Sequence, residues 1–409
     1  MLLLYNLGLR IYVFLIYIAS FFNKKAKSWL KGRSNVQYQQ FKKSAWFHFA
    51  SLGEFEQGLP VLTSFRSEHS GTAIVITFFS PSGYEIRKNT PLADAVYYLP
   101  LDTASNARHF IDAIQPTIAV FTKYEYWYHY FNELNRKNVP LFVISGIFRQ
   151  NQVFFKWYGG LYRQMLGFVT HFFVQDENSK NLLQNIGVNK VSVSGDTRFD
   201  RVWANAQAPK SFPLIEEFAA GSKVFIAGST WPEDEELLAQ LIKDNPDRKF
   251  IIAPHEIKED KINRLINLLP QDSAARYSAI SGLKSQISNL RSIIIDNIGM
   301  LSSLYQYGDI AYIGGGFGVG IHNTLEAAAF GLPVIFGPNY QKFKEARELV
   351  SHELGFSIKD AVELKAAFSY LIADENKLQS ISLKIKDYVK ENTGSTEMVM
   401  GYISNNKSL

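Results

Sequence analysis

Cysteine is absent from all 409 residues. That excludes disulfides, thiolate metal sites and cysteine nucleophiles, and it suits a reducing compartment. Acidic residues are missing before Glu54, and no low-complexity tract interrupts a mixture of 46% apolar and 20% charged residues. Several signatures are missing too. No Gly-Lys-Ser/Thr closes the glycine-rich loop around Gly315, so it is not a Walker A site. The spacing His322 to Glu326 is not HExxH and His255 has no close His partner in the sequence, so a metal site there is not expected.

What is present begins with charge placement. Arg10, Lys24, Lys25, Lys27, Lys31, Arg33, Lys42 and Lys43 precede the first acid, Glu54, although the whole chain is only +5. A uniformly basic nucleic-acid surface would not look like this, and no nucleic-acid partner is expected. The cluster adjoins MLLLYNLGLRIYVFLIYIASFF, which Asn6 and Arg10 alone interrupt seriously. As a helix this run would be about 30–33 Å long at roughly 1.5 Å per residue, enough to span a hydrocarbon core. Arg10 makes a deep span costly, so spanning and interfacial anchors both stay open. A cleaved signal peptide fits less well, because the basic cluster follows the apolar run. Positives after Phe22 expect the next domain on the cytoplasmic side, beside anionic lipids.

Short apolar strands alternating with helical sequence predict an α/β chain of parallel βαβ units. SAWFHFASLGE, GTAIVITFFSPSG, AVYYLPLD, PTIAVFTKYEYW, VPLFVISG, THFFVQ and KVSVSG read this way. After a Pro-containing stretch the pattern restarts with SKVFIAGST, RKFIIAP, RSIIID, GDIAYIGGG and GLPVIFGP. The expected division is an anchor at 1–23, a basic connector at 24–43 and a first domain at 44–201. A linker at 202–213 and a second domain at 214–380 follow. The helical tail 381–409 is a candidate to cross back to the first domain.

Open parallel sheets bind ligands beyond the carboxyl ends of their strands. Ser51, Gly53 and Glu54 follow the first strand, and a carboxylate at a helix start can take a proton or simply cap the helix. Lys123 and Glu125 follow another strand, as an anion site or a salt bridge, and Arg149 follows a third. Gly228, Ser229 and Thr230 form a small-residue turn into an acidic helix start, which offers amides to an anion or is merely capped. His255 is a further strand exit. The strongest stretch, Gly314 to Glu326, contains Gly315 and Gly316, then His322, Asn323 and Glu326. Its glycines allow close approach of phosphate. His322 and Glu326, four apart, are expected on one helical face. A purely structural glycine turn is the plainer alternative.

These motifs, in order along nearly the whole chain, resemble the bacterial Kdo transferases, which move 3-deoxy-D-manno-octulosonic acid (Kdo) from CMP-Kdo to lipid A precursor. Ala50-Ser-Leu-Gly-Glu54 is close to the family's Ala-Ser-Val-Gly-Glu. Thr122-Lys-Tyr-Glu-Tyr-Trp127 resembles Thr-Lys-Thr-Glu-Leu-Trp, and Gly195-Asp-Thr-Arg-Phe-Asp200 resembles Gly-Asn-x-Lys-Phe-Asp. The resemblance implies the GT-B fold, two Rossmann-like domains facing a cleft, and an inverting transfer needing neither metal nor cofactor. It implies Glu54 as general base, with Ser51, Gly53, Lys123, Glu125 and Arg149 on the acceptor side. Gly228, Ser229, Thr230, His255, Gly315, Gly316, His322, Asn323 and Glu326 would hold the donor.

The implied partners are CMP-Kdo, lipid A precursor and anionic membrane lipids, at the cytoplasmic face of the inner membrane. The sequence departs from the family at Ile321, where a glycine is usual, and at Ala327, where proline is usual. It also lacks an arginine between Pro254 and His255. Another GT-B transferase using a UDP-sugar, or an inactive membrane scaffold, are the rival readings.

Overall fold

The computed structural model describes residues 1–34, 36–280 and 287–405. The chain divides into two compact units, Met1–Arg201 with Asn392–Leu409, and Val202–Glu391.

The first unit is built on a parallel sheet of β1 (Ser44–Phe49), β2 (Ala73–Phe78), β3 (Ala95–Tyr98), β4 (Pro116–Thr122), β5 (Leu141–Gly146), β6 (His171–Val174) and β7 (Val191–Val193). Their order is β3-β2-β1-β4-β5-β6-β7, so the direction of winding reverses between β1 and β4. β1 is buried at every position, as a central strand covered on both faces must be. Trp46 anchors one face, edge-on to Phe110, Phe121 and Tyr130 at 5.3, 5.0 and 5.5 Å. Its indole N–H donates to the Thr77 hydroxyl at 2.8 Å, which satisfies the one polar atom the ring carries inward. On the other face α3 (Leu52–Glu68) lies tight against the sheet. A Cβ on Gly58 would sit 2.4 Å from the Phe49 ring, so only glycine permits that approach.

The helix Ser395–Asn405 belongs to this same unit, with Val399, Met400 and Ile403 in the apolar cluster that holds Phe47 and Phe49. Residues 202–207, expected as linker, are the last turns of the helix Thr197–Gln207, and the next helix starts at Pro213.

At the amino end, α1 (Leu2–Ala19) is long and apolar enough to cross a membrane. It is followed by α2 (Lys24–Lys31), whose N-terminus is capped by Asn23. Part of the basic connector is therefore helical. Arg33 is not among its solvated charges. It donates to the carbonyls of Leu99 at 2.8 Å, Phe79 at 2.6 Å and Trp29 at 3.1 Å, and stacks on the Trp29 ring at 3.9 Å. Burial lowers it to about 10. Arg33 fastens α2 to the protein and is withdrawn from any lipid headgroup.

The second unit repeats the plan. β8 (Val224–Thr230), β9 (Lys249–Pro254), β10 (Ala274–Arg276), β11 (Ser292–Ile294), β12 (Ile310–Ile313), β13 (Val334–Phe336) and β14 (Gly355–Ser357) are parallel in the order β10-β11-β9-β8-β12-β13-β14. Here the winding reverses between β8 and β12. The three-residue edge strands β10 and β14 were not expected from the sequence.

Candidate active site

In the first unit the neighbouring strands β1, β4 and β5 deliver the predicted residues to the carboxyl edge of the sheet, at the reversal point where ligands enter such folds. β1 leads through Ala50 to Ser51, the N-cap of α3, extended at φ −149°, and Glu54 stands in the first turn of α3. The Ser51 hydroxyl donates to the Glu54 carboxylate, and the N-cap makes no side-chain bond to the helix amides. Glu54 is half-buried and is oriented by Ser51. A Cβ on Gly53 would meet nothing nearer than the Ser51 hydroxyl at 3.7 Å, so the chain there is open.

β4 exits through Lys123, whose φ of +60° is left-handed and costly for a side chain-bearing residue. Two residues on, Glu125 accepts from the Trp127 indole at 2.9 Å and pairs with the His48 ring at 3.1 Å. His48 is fully buried, with its other nitrogen 2.8 Å from the Thr77 hydroxyl. Because Trp46 already donates to that oxygen, the Thr77 proton is available for His48 Nδ1. His48 Nε2–H then donates to Glu125. The chain Trp46–Thr77–His48–Glu125 thus orients a carboxylate from the interior of the sheet. Glu125 also borders an apolar cavity of about 310 Å³, lined in part by Leu9, Tyr12, Phe79 and Trp127.

Burial pushes the Tyr124 hydroxyl up; Arg149 opposes this, and Glu54 and Asp176 add to it. Glu54 and Arg149 therefore act on a single phenol. Burial also raises Asp196, but the Arg198 charge and its bonds at 2.8 and 2.9 Å, helped by Lys123, hold the carboxyl below its ordinary value. Gln57, one turn beyond Glu54, donates to Asp196 at 2.7 Å. His48 and Gln57 are not singled out by the sequence, and Tyr124 stands out there only as a departure from the family's Thr-Lys-Thr-Glu-Leu-Trp. A lone histidine inside an otherwise apolar strand was the available signal for the first.

In the second unit β8, β9 and β12 bring together the other set. Ser229 is left-handed at φ +56°, and Gly315 and Gly320 have φ of +90° and +143°. A Cβ on Gly314 would lie 2.3 Å from the Ser229 carbonyl, and one on Gly316 would lie 2.5 Å from the Gly337 nitrogen. The glycine run is therefore demanded by backbone packing on both sides. Asp234 fixes it, accepting from the Gly315 and Trp231 amides at 2.9 Å each and from the Tyr312 hydroxyl at 2.7 Å. Gly228 packs under the Tyr305 hydroxyl, and Thr230 is buried with its own hydroxyl 3.4 Å from Glu235.

His255 stacks on the Trp231 ring at 4.6 Å, and His322 lies 4.5 Å from His255. The Trp231 indole donates to His322 Nε2 at 3.2 Å. Burial, with His255 adding, lowers His322 to about 4, so the ring is neutral and can accept that bond. The expected shared helical face of His322 and Glu326 is not formed. The helix starts only at Leu325, and His322 lies in the extended approach to it because the glycine turn is long. Asn323 instead bridges the start, accepting from the Leu325 amide at 3.1 Å and donating to Glu326 at 3.2 Å.

A family model for 3-deoxy-D-manno-octulosonic-acid transferase (kdotransferase) matches residues 25–201. The 3-deoxy-D-manno-octulosonic acid transferase of Chlamydophila psittaci is 30% identical over 317 residues, covering 74% of this chain and 71% of that one. The chain belongs to this transferase family. It is an enzyme of the glycosyltransferase class. A bifunctional glycosyltransferase/methyltransferase of Fusobacterium nucleatum is 26% identical over 377 residues, 88% of this chain, which spans 58% of that protein's length. In fold, a UDP-GlcNAc 2-epimerase of Neisseria meningitidis matches with a TM-score of 0.62 at 15% identity, over 89% of this chain and 100% of that one. The transferase thus has the two Rossmann-like domains of the GT-B architecture.

Proposed function

We propose that the transferase moves Kdo from CMP-Kdo to a sugar hydroxyl of lipid A precursor with inversion, in lipopolysaccharide core biosynthesis at the cytoplasmic face of the inner membrane. The observation that carries this reading is Glu54. It is a half-buried carboxylate beyond the carboxyl end of β1, oriented by Ser51, and both it and Arg149 act on the Tyr124 hydroxyl. In the proposed step the acceptor oxygen bonds to the anomeric carbon as the bond to the CMP phosphate breaks on the opposite side. The hydroxyl proton goes to Glu54, and CMP leaves with the bonding pair.

Lys123, Glu125 and Arg149 would position the acceptor, whose phosphate groups suit the two cations. The apolar cavity beside Glu125 is of a kind that receives alkyl chains. In the second unit the backbone around Ser229, Gly315 and Gly316, with His255 and His322, would surround the donor phosphate. The Gly315 amide is held by Asp234 and shapes the loop, and other preorganised neutral donors there would stabilise charge developing on a leaving phosphate. Asn323 and Glu326 would take the ribose. The anionic bilayer is a third partner. Fully assembled polar clusters in both units favour an active enzyme over an inactive scaffold.

The test supplies purified full-length protein with lipid A precursor and CMP-Kdo made in situ, and separately with UDP-sugars, and weighs the lipid products. Mass increments of one or more Kdo units from CMP-Kdo alone support the reading. Increments from a UDP-sugar, or none from folded protein, overturn it.

A further inference from the structure

The two faces of α1 have different partners. Its inward row makes polar contacts near the amino end, and Tyr12 on the flank makes an aromatic one. The Tyr5 hydroxyl donates to Asp102 at 2.6 Å, Asn6 Oδ1 lies 2.8 Å from the His129 ring, and Tyr12 packs edge-on to Trp29 at 5.8 Å. Its outward row, Leu3, Leu7, Ile11, Phe14 and Ile18, is exposed, from 44% at Ile18 to 84% at Leu3, and contains no polar side chain; Phe22, just past the helix, is 90% exposed. The spacings of three and four place the residues of the row on one stripe. Arg10 lies on the flank between the rows, where its head can reach the aqueous side of an interface. A crossing helix would carry the polar groups bonded to it, Asp102 and His129, into hydrocarbon.

Two further observations point to the occupant. Lys24, Lys25, Lys27 and Lys31 of α2 are exposed while Ala26 and Trp29 face inward, so cations adjoin the apolar stripe. Trp157 is 91% exposed and Tyr158 is 49% exposed. They lead into Leu161 and Tyr162, which line a cavity with Met1 and Leu4 at the other end of α1. Exposed aromatics of this kind settle at membrane interfaces.

We propose that α1 lies in the plane of a bilayer bearing anionic headgroups, its Leu3-to-Ile18 stripe at the acyl boundary and its Tyr5–Asn6 row on the protein, and does not cross the membrane. Amphipathic helices in this position sit roughly 5–10 Å into the headgroup–acyl boundary. The absence of cysteine makes the test clean. Single cysteines replacing the exposed Leu3, Leu7, Ile11, Phe14 and Ile18 are labelled with an environment-sensitive fluorophore on the full-length protein. Each is bound to phosphatidylglycerol-containing vesicles whose lipids are brominated at graded chain depths. The in-plane arrangement gives one shallow depth at all five positions, with binding lost in purely zwitterionic vesicles at high salt. A depth profile that passes through the bilayer centre between Leu3 and Ile18 overturns it. So does a failure of the folded protein to bind the anionic vesicles.

Discussion

Asp200 and Thr396, 196 residues apart, are joined twice through one carboxylate oxygen, from the Thr396 amide at 2.7 Å and its hydroxyl at 2.6 Å. The other oxygen accepts from the Gly394 amide at 2.6 Å. Asp200 thereby caps the carboxyl-terminal helix of the chain and holds it on the first unit. The Gly195–Asp200 motif is in this respect a clasp, with Asp196 turned to Gln57 and Asp200 to the returning helix.

D200A removes both acceptor oxygens and with them all three bonds. Charge-assisted bonds and helix caps of this type lose about 2–3 kcal/mol when one partner is deleted. The expected result is a lower melting midpoint and faster proteolysis at 392–396, with D200N intermediate. Proteolysis at wild-type rate would show that the clasp does not hold the helix.

The glycines of the Gly314–Gly320 loop are not equivalent. A methyl group on Gly316 meets the Gly337 backbone at 2.5 Å, whereas one on Gly318 meets nothing nearer than 3.7 Å. G316A should therefore cost about 1–3 kcal/mol, the usual range for overpacking, and reduce CMP affinity. G318A should change neither by much. Thermal melting with and without CMP separates the two, and equal effects would contradict the packing account.

His322 sets a pH dependence with a definite sign. Its folded value is about 4 against 6.5 for the free side chain, so the unfolded chain binds the proton more readily. The stability it contributes is present above about 6.5 and is lost as pH falls toward 4. Relative to wild type, H322Q should flatten the melting temperature between pH 4.5 and 7. A parallel slope in both proteins would mean that other groups dominate.

Much of this was legible in advance, for physical reasons that differ by element. β1 and β8 are largely apolar runs that give way to small or polar residues, Ala50-Ser51 after β1 and Gly228-Ser229-Thr230 at the end of β8, and that pattern encodes a covered parallel strand and its exit. Ser51, Glu54 and the Gly314–Gly316 run were visible because strand exits are where such sheets bind ligands. β10 and β14, Ala-Ala-Arg and Gly-Phe-Ser, escaped notice because they lack the β-branched apolar run that marks the equally short β11 and β13. His48 escaped because its partners, Thr77 and Glu125, are 29 and 77 residues away. Arg33 looked like one more solvated cation. Only its three carbonyl partners reveal a buried clamp. Likewise α1 is apolar on nearly all sides in sequence, and tertiary contacts at Tyr5 and Asn6 were needed to tell its faces apart.

The central claim is that Glu54 removes the acceptor proton. It is tested most directly by comparing wild type with E54Q under single-turnover conditions, with lipid A precursor, CMP-Kdo made in situ and product read by mass. The account predicts a fall of about 10²–10⁴-fold in the transfer rate, the usual loss of a general base, with CMP affinity unchanged. Transfer by E54Q within tenfold of wild type would contradict it.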